Sequence, residues 1–68
     1  MTFRGIGRDL SESGLGAIVH ADLEVGDSVI VYYTRHQRAA SQLVCRPAWV
    51  RRRHDNRYGF EFQYEVPS

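Results

Sequence analysis

Toward the end of the chain, apolar and polar positions alternate: in RYGFEFQYE, residues 57–65, Tyr58, Phe60, Phe62 and Tyr64 are each separated by one small or polar residue. A period of two sends successive side chains to opposite faces of an extended chain, so this segment predicts a half-buried β-strand. SVIVYYT, residues 28–34, is rich in β-branched and aromatic types and predicts a second strand. SQLVCRPAWVR, residues 41–51, predicts a longer one. It is interrupted at Pro47, which cannot donate to a ladder and so implies a bulge, a bend or an edge position. Two shorter strands are expected over residues 3–8 and 15–20. LEVGDSV supplies a Gly-Asp turn feeding a strand, and RHDNRYG supplies a polar loop between two strands. No stretch carries a helical period. Five strands at roughly 8–12-residue spacing predict an all-β chain, a small antiparallel β-barrel or sandwich.

Length narrows this to one domain over residues 1–68. A chain this short buries only about 60% of the surface that its unfolded form exposes. Its single core seldom supplies more than roughly 3–5 kcal/mol without a staple. Cys45 is the sole cysteine, which excludes an internal disulfide and a Cys-rich zinc site. One unpaired cysteine and no signal-like N-terminal run point to a reducing compartment, so a cytoplasmic protein is expected. The longest apolar run, VIVYY at residues 29–33, is far short of a membrane span, and no membrane partner is expected.

The net charge of +1 argues against a polyanion binder held by bulk electrostatics. All nine basic residues are Arg. Arg grips phosphate bidentately and also hydrogen-bonds the guanine edge. Arg51, Arg52, Arg53, His54 and Arg57 form the densest basic cluster. It reads first as a solvated hairpin loop; a nucleic-acid patch, or a loop that approaches a bound dinucleotide, are the alternatives. His20, His36 and His54 have no Asp, Glu or Cys at metal-ligand spacing, so no metal site is expected. Asp9, Ser11 and His20 do not make a hydrolase, because the Gly-x-Ser-x-Gly elbow is missing. No catalytic residue, no cofactor and no enzymatic activity are expected. Gly5-Ile6-Gly7 lacks the third Gly of a dinucleotide fingerprint. Trp49, Phe60 and Phe62 are expected in the core.

The stretch GRDLSESGLGA, residues 7–17, carries more than a turn needs. As a turn, Asp9 and Ser11 bond to nearby amides and Gly14 takes a positive φ. Turned outward, the same groups offer a carboxylate to a guanine edge and a hydroxyl and bare amides to base or phosphate. The run from Arg8 to Gly16 resembles the Asp/Asn-x-Ser-x-x-Gly signature of the PilZ domain, the bacterial cyclic di-GMP receptor family. Leu23 to Asp27 followed by VIVYY, Val44 to Val50 with Trp49, and Tyr58 to Phe62 resemble the family's later segments in the same order.

The resemblance implies a small split barrel of about five strands and a cyclic di-GMP-binding receptor or adaptor in second-messenger signalling. It implies ligand-binding roles for Asp9, Ser11 and Gly14. Arg8, and after it Arg4, are inferred here as the cations for phosphate or the Hoogsteen edge. Family members that bind the dinucleotide also carry an Arg-x-x-x-Arg segment and a first strand upstream of the Asp motif, whereas eight residues precede Asp9 here. The expectation is therefore a domain N-terminally incomplete relative to the family, open at one edge, and self-associating or borrowing a strand. Arg4 and Arg8 spell Arg-x-x-x-Arg but are expected on the strand running into Asp9. There they would share one face, roughly 13 Å apart. The alternative functions are a PilZ-like protein-interaction module without the nucleotide, and a small barrel binding nucleic acid through Arg51–Arg57.

Overall fold

A computed structural model describes residues 2–63 of the chain. All five expected strands are present: β1 (Gly5–Leu10), β2 (Gly14–Val19), β3 (Ser28–Gln37), β4 (Ala40–His54) and β5 (Arg57–Phe62). They form one antiparallel sheet in the order β1-β2-β5-β4-β3, so β1 and β3 are its two edges. The sheet curls into an open half-barrel.

Alternation decides which side chains line the hollow. Ala17 and Val19 on β2, Ala48 and Val50 on β4, and Tyr58, Phe60 and Phe62 on β5 are buried together on the concave face. The registers Leu15↔Phe60 and Ala17↔Tyr58, and Val50↔Phe60 and Ala48↔Phe62, bring these residues side by side across three strands. The Tyr58 and Phe60 rings stack at 5.7 Å. β1, with one neighbour only, is exposed along its whole length.

β3 and β4 run longer than their patterns predict. β3 and β4 continue to a two-residue turn at Arg38–Ala39, where Arg38 adopts φ 47°. Nothing in RHQRAA marks such a turn, because its left-handed position is filled by Arg rather than Gly or Asn. The polar loop RHDNRYG contracts to the turn Asp55–Asn56, with Asp55 at φ 55°, and its flanks join β4 and β5. The Gly-Asp turn forms as expected: Gly26 has φ 101°, and Asp27 bonds back to Glu24 through both its amide and its carboxylate. β5 ends at Phe62; Tyr64 and Glu65 lie outside the described residues. Pro47 carries no bulge. It pairs with Ile30, one residue beyond the last β4–β5 pair, and its carbonyl accepts from Gln63 where the β5 ladder has ended. Its missing donor therefore breaks no ladder bond.

The segment between β2 and β3 is tied across one end of the hollow by Tyr58. Its hydroxyl donates to the Ala21 carbonyl and accepts from the Leu23 amide. Arg53 adds bonds to the Asp22 carboxylate and the Leu23 carbonyl, and the bond to Asp22 holds its pKa above the ordinary arginine value. Tyr58→Phe keeps the buried ring and removes the hydroxyl that both main-chain groups use. It is expected to lower stability by about 1–2 kcal/mol, read as a lower midpoint in urea with an unchanged slope.

Candidate functional site

The convex face carries a line of four residues fixed by three registers. Asp9 pairs with Gly16, Gly16 with Gly59, and Gly59 with Arg52. An acid on β1 and an arginine on β4 are thus separated by two glycines, over three strand spacings of about 4.8 Å each. A side chain on either glycine would cover the strip between them. Both flanking side chains lie against this strip: a Cβ on Gly16 would stand 3.8 Å from Asp9 Oδ2, and one on Gly59 would stand 3.3 Å from Arg52 Nε. A cavity of about 590 Å³ opens on the Arg52 side of this strip, lined by Gly16, Gly59, Val25, Arg52, His54 and Arg57 among others.

Two β-bulges put the charged pair on this face. β1 shifts register between Gly7 and Asp9, and β4 shifts between Val50 and Arg52. Gly7 pairs with Ala17 and Val50 with Phe60, both on the concave side. Strict alternation would carry Asp9 and Arg52, each two residues further on, to that same side. One extra residue in each strand, Arg8 and Arg51, turns Asp9 and Arg52 outward instead, the re-aiming that bulges perform.

The arginines of the basic cluster have separate fates. Arg51 Nε donates to Glu61 at 2.6 Å and its guanidinium lies 4.8 Å over the Trp49 ring. Arg53 is held by Asp22. The side chains of Arg52 and Arg57 have no hydrogen bond or ion pair among the described residues, and neither has that of Asp9. Two cations and one carboxylate are therefore uncommitted around the glycine strip. Trp49 belongs to this face: it is half-buried beneath Arg51, opposite Glu61, and not in the core where its size placed it. Phe60 and Phe62 are in the core as expected.

The sequence-predicted residues separate as well. Asp9 joins the line. Ser11 and Gly14 close the β1–β2 hairpin, with the Ser11 amide donating to the Gly14 carbonyl at 2.9 Å. The Ser11 hydroxyl leans on the same carbonyl at 3.4 Å and on Ser13 Oγ at 3.2 Å. Gly14 is not a positive-φ glycine; among the described glycines only Gly26 is. Its reason is close approach: a Cβ there would stand 2.3 Å from the Phe60 carbonyl oxygen. Arg4 precedes β1 rather than lying on it, and Arg8 is the bulge residue, so the alternation expected to place the two on one face is broken between them. Gly16 and Gly59 have no role of their own in the sequence reading, and Arg52 enters it only as one member of the Arg51–Arg57 cluster. Their signal is the cross-strand register, which a single strand's pattern does not contain.

Comparison with protein families matches the chain to the PilZ domain over residues 2–68. Neither a curated protein nor a solved structure matches it.

Proposed function

Because the chain belongs to the PilZ domain family, whose role at family level is that of cyclic di-GMP receptor and adaptor, we propose that it binds this dinucleotide on its convex face and breaks no bond. The observation that carries the reading is the line Asp9–Gly16–Gly59–Arg52. Two bare glycines let a flat base lie against the sheet. Asp9, with no side-chain partner among the described residues, accepts the two N–H bonds of a guanine edge. Arg52 meets phosphate or the O6/N7 edge with its planar fork, and Arg57 adds a second cation beside it. Ser11 contacts the ligand from the hairpin tip, and Gly14 keeps that hairpin flush against β5. Arg8 contributes chiefly as the residue that turns Asp9 outward; Arg4 stands outside the line. Among the described residues no helix is long and apolar enough to cross a membrane. The role proposed belongs in the cytoplasm, with the signal passed on by contact to a partner.

A micromolar complex requires about −8 kcal/mol, and a charge-assisted bond to a buried or paired group is worth about 1.5–3 kcal/mol. Asp9→Ala is accordingly expected to weaken binding at least about tenfold, with no loss of melting temperature because its carboxylate bonds to none of the described residues. Calorimetric titration of cyclic di-GMP into both proteins reads this directly. No heat from the wild-type chain at a hundred micromolar ligand would leave the interaction-module reading in its place. Salt-sensitive binding of plain oligonucleotides would favour the nucleic-acid reading instead, although of the arginines in its basic cluster only Arg52 and Arg57 lack a side-chain partner among the described residues.

A further inference from the structure

β3 is a ten-residue edge strand with no Pro and no Lys, the residues that guard such edges against pairing. The other edge guards itself: β1 has six residues, two of them glycine, and a bulge. On β3, Ile30 and Tyr32 are 53% and 61% exposed on the convex side. Val29, Val31 and Tyr33 line the concave side, along a trough of about 790 Å³ that runs between β3 and β1.

The free edge of β3 is complementary to itself. Placed antiparallel to a second copy with Val31 on the two-fold axis, Ile30 faces Tyr32, Val29 faces Tyr33, Ser28 faces Thr34 and Asp27 faces Arg35 of that copy. Opposed residues share a face, because each pair sums to the same even number. The apolar residues meet in the middle and an ion pair forms at both ends. Neither charge is spoken for: Arg35 has no partner among the described residues, and Asp27 uses only Oδ2, on the Glu24 amide. The main chain also fits. Val50 donates to the Asp27 carbonyl across the β3–β4 ladder, so the odd residues of β3 bond inward. Ser28, Ile30, Tyr32 and Thr34 then offer their amides and carbonyls at the open edge. The Val31 pair falls at a non-hydrogen-bonded position, where opposed Cα atoms stand about 4.5 Å apart.

We propose that two copies of this chain pair through β3, antiparallel and centred on Val31, joining their half-barrels into one continuous sheet. The pairing gives each β3 a second neighbour and extends the apolar wall of each trough with Val29 and Val31 of the other copy. It does not depend on the dinucleotide reading, since β3 lies at the opposite side of the sheet from Asp9 and carries none of the site.

Cysteine cross-linking tests the register. In a Cys45→Ser background, Val31→Cys is expected to form a disulfide dimer on mild oxidation, since about 4.5 Å is within disulfide range. Val29→Cys, offset by four residues or about 13 Å from its own copy, is expected to remain reduced. Charge reversal tests the pairing without depending on one variant's folding. Arg35→Asp and Asp27→Arg are each expected to weaken the dimer about tenfold by placing like charges opposite. An equimolar mixture of the two is expected to recover it as a heterodimer, seen by native mass spectrometry. A wild-type chain that sediments as a monomer at every concentration up to about 1 mM would overturn the proposal. So would a dimer in which Val29→Cys cross-links in preference to Val31→Cys, or one indifferent to both charge reversals.

Discussion

Gly14→Ala is expected to lower stability by about 3 kcal/mol, most of what a core of this size provides. The added methyl would stand 2.3 Å from the Phe60 carbonyl oxygen, 3.4 Å from its carbon and 3.5 Å from Glu61 Cα, all main-chain atoms that no rotamer change can move. Relief requires β2 to separate from β5. That separation opens the seam where Leu15 and Ala17 pack on Phe60 and Tyr58, the centre of the concave core. The small entropic gain from replacing a glycine, about 0.4–1 kcal/mol, does not offset it. Gly16→Ala is the matched control, two residues along the same strand. The nearest atoms to its methyl are Asp9 Cβ and Oδ2 at 3.8 Å and the Asp9 carbonyl oxygen at 3.9 Å, all ordinary contacts, so stability is expected to stay within about 0.5 kcal/mol of wild type. Urea unfolding of the two variants decides the matter. Equal, small losses would mean that the β2–β5 spacing is not limiting at Gly14 and that both glycines serve the surface alone.

How far the sequence reaches follows from the same strands. Alternation along β5 names Tyr58, Phe60 and Phe62 as one face, and those residues do line the core. β4 is ambiguous because both its parities carry apolar residues: Val44, Ala48 and Val50 on one, Leu43, Cys45 and Trp49 on the other. Size alone then misplaces Trp49. Asp9 is legible through the Asp-x-Ser-x-x-Gly run, whose resemblance to the PilZ signature implies a ligand role for a residue that chemistry alone reads first as part of a turn. Arg52 is not legible, since Arg51, Arg52 and Arg53 are the same letter three times. What separates them is a bulge between Val50 and Arg52, which sends the first to Glu61, the second over Gly59 and the third to Asp22. The bulge in β1 likewise undoes the spacing argument for Arg4 and Arg8 while it delivers Asp9 to the convex face. A register shift arises from how two strands fit each other, so the pattern of either strand alone does not announce it.

The sharpest test of the site uses that distinction among neighbouring arginines. Arg52→Ala is expected to weaken cyclic di-GMP binding by about 1.5–3 kcal/mol, tenfold or more. Its guanidinium has no partner among the described residues and lies against the glycine strip, so the loss falls on the ligand and not on the fold. Arg51→Ala removes an equal charge one residue away. There the guanidinium already belongs to Glu61, in an ion pair whose side chains are 50% and 49% exposed. Such a pair contributes at most about 1 kcal/mol to stability, and binding is expected to stay within about threefold of wild type, the small loss reflecting the freed Glu61 carboxylate. Arg52→Lys keeps the charge without the planar fork and is expected to fall between the two. Equal weakening by Arg51→Ala and Arg52→Ala would mean that the face attracts the ligand only through its overall charge. No weakening by either would place the phosphate away from β4 and remove Arg52 from the site. A loss confined to Arg52→Ala requires the ligand to lie on the strip that the two bulges create, because the paired arginine beside it supplies the same charge without reaching the glycines.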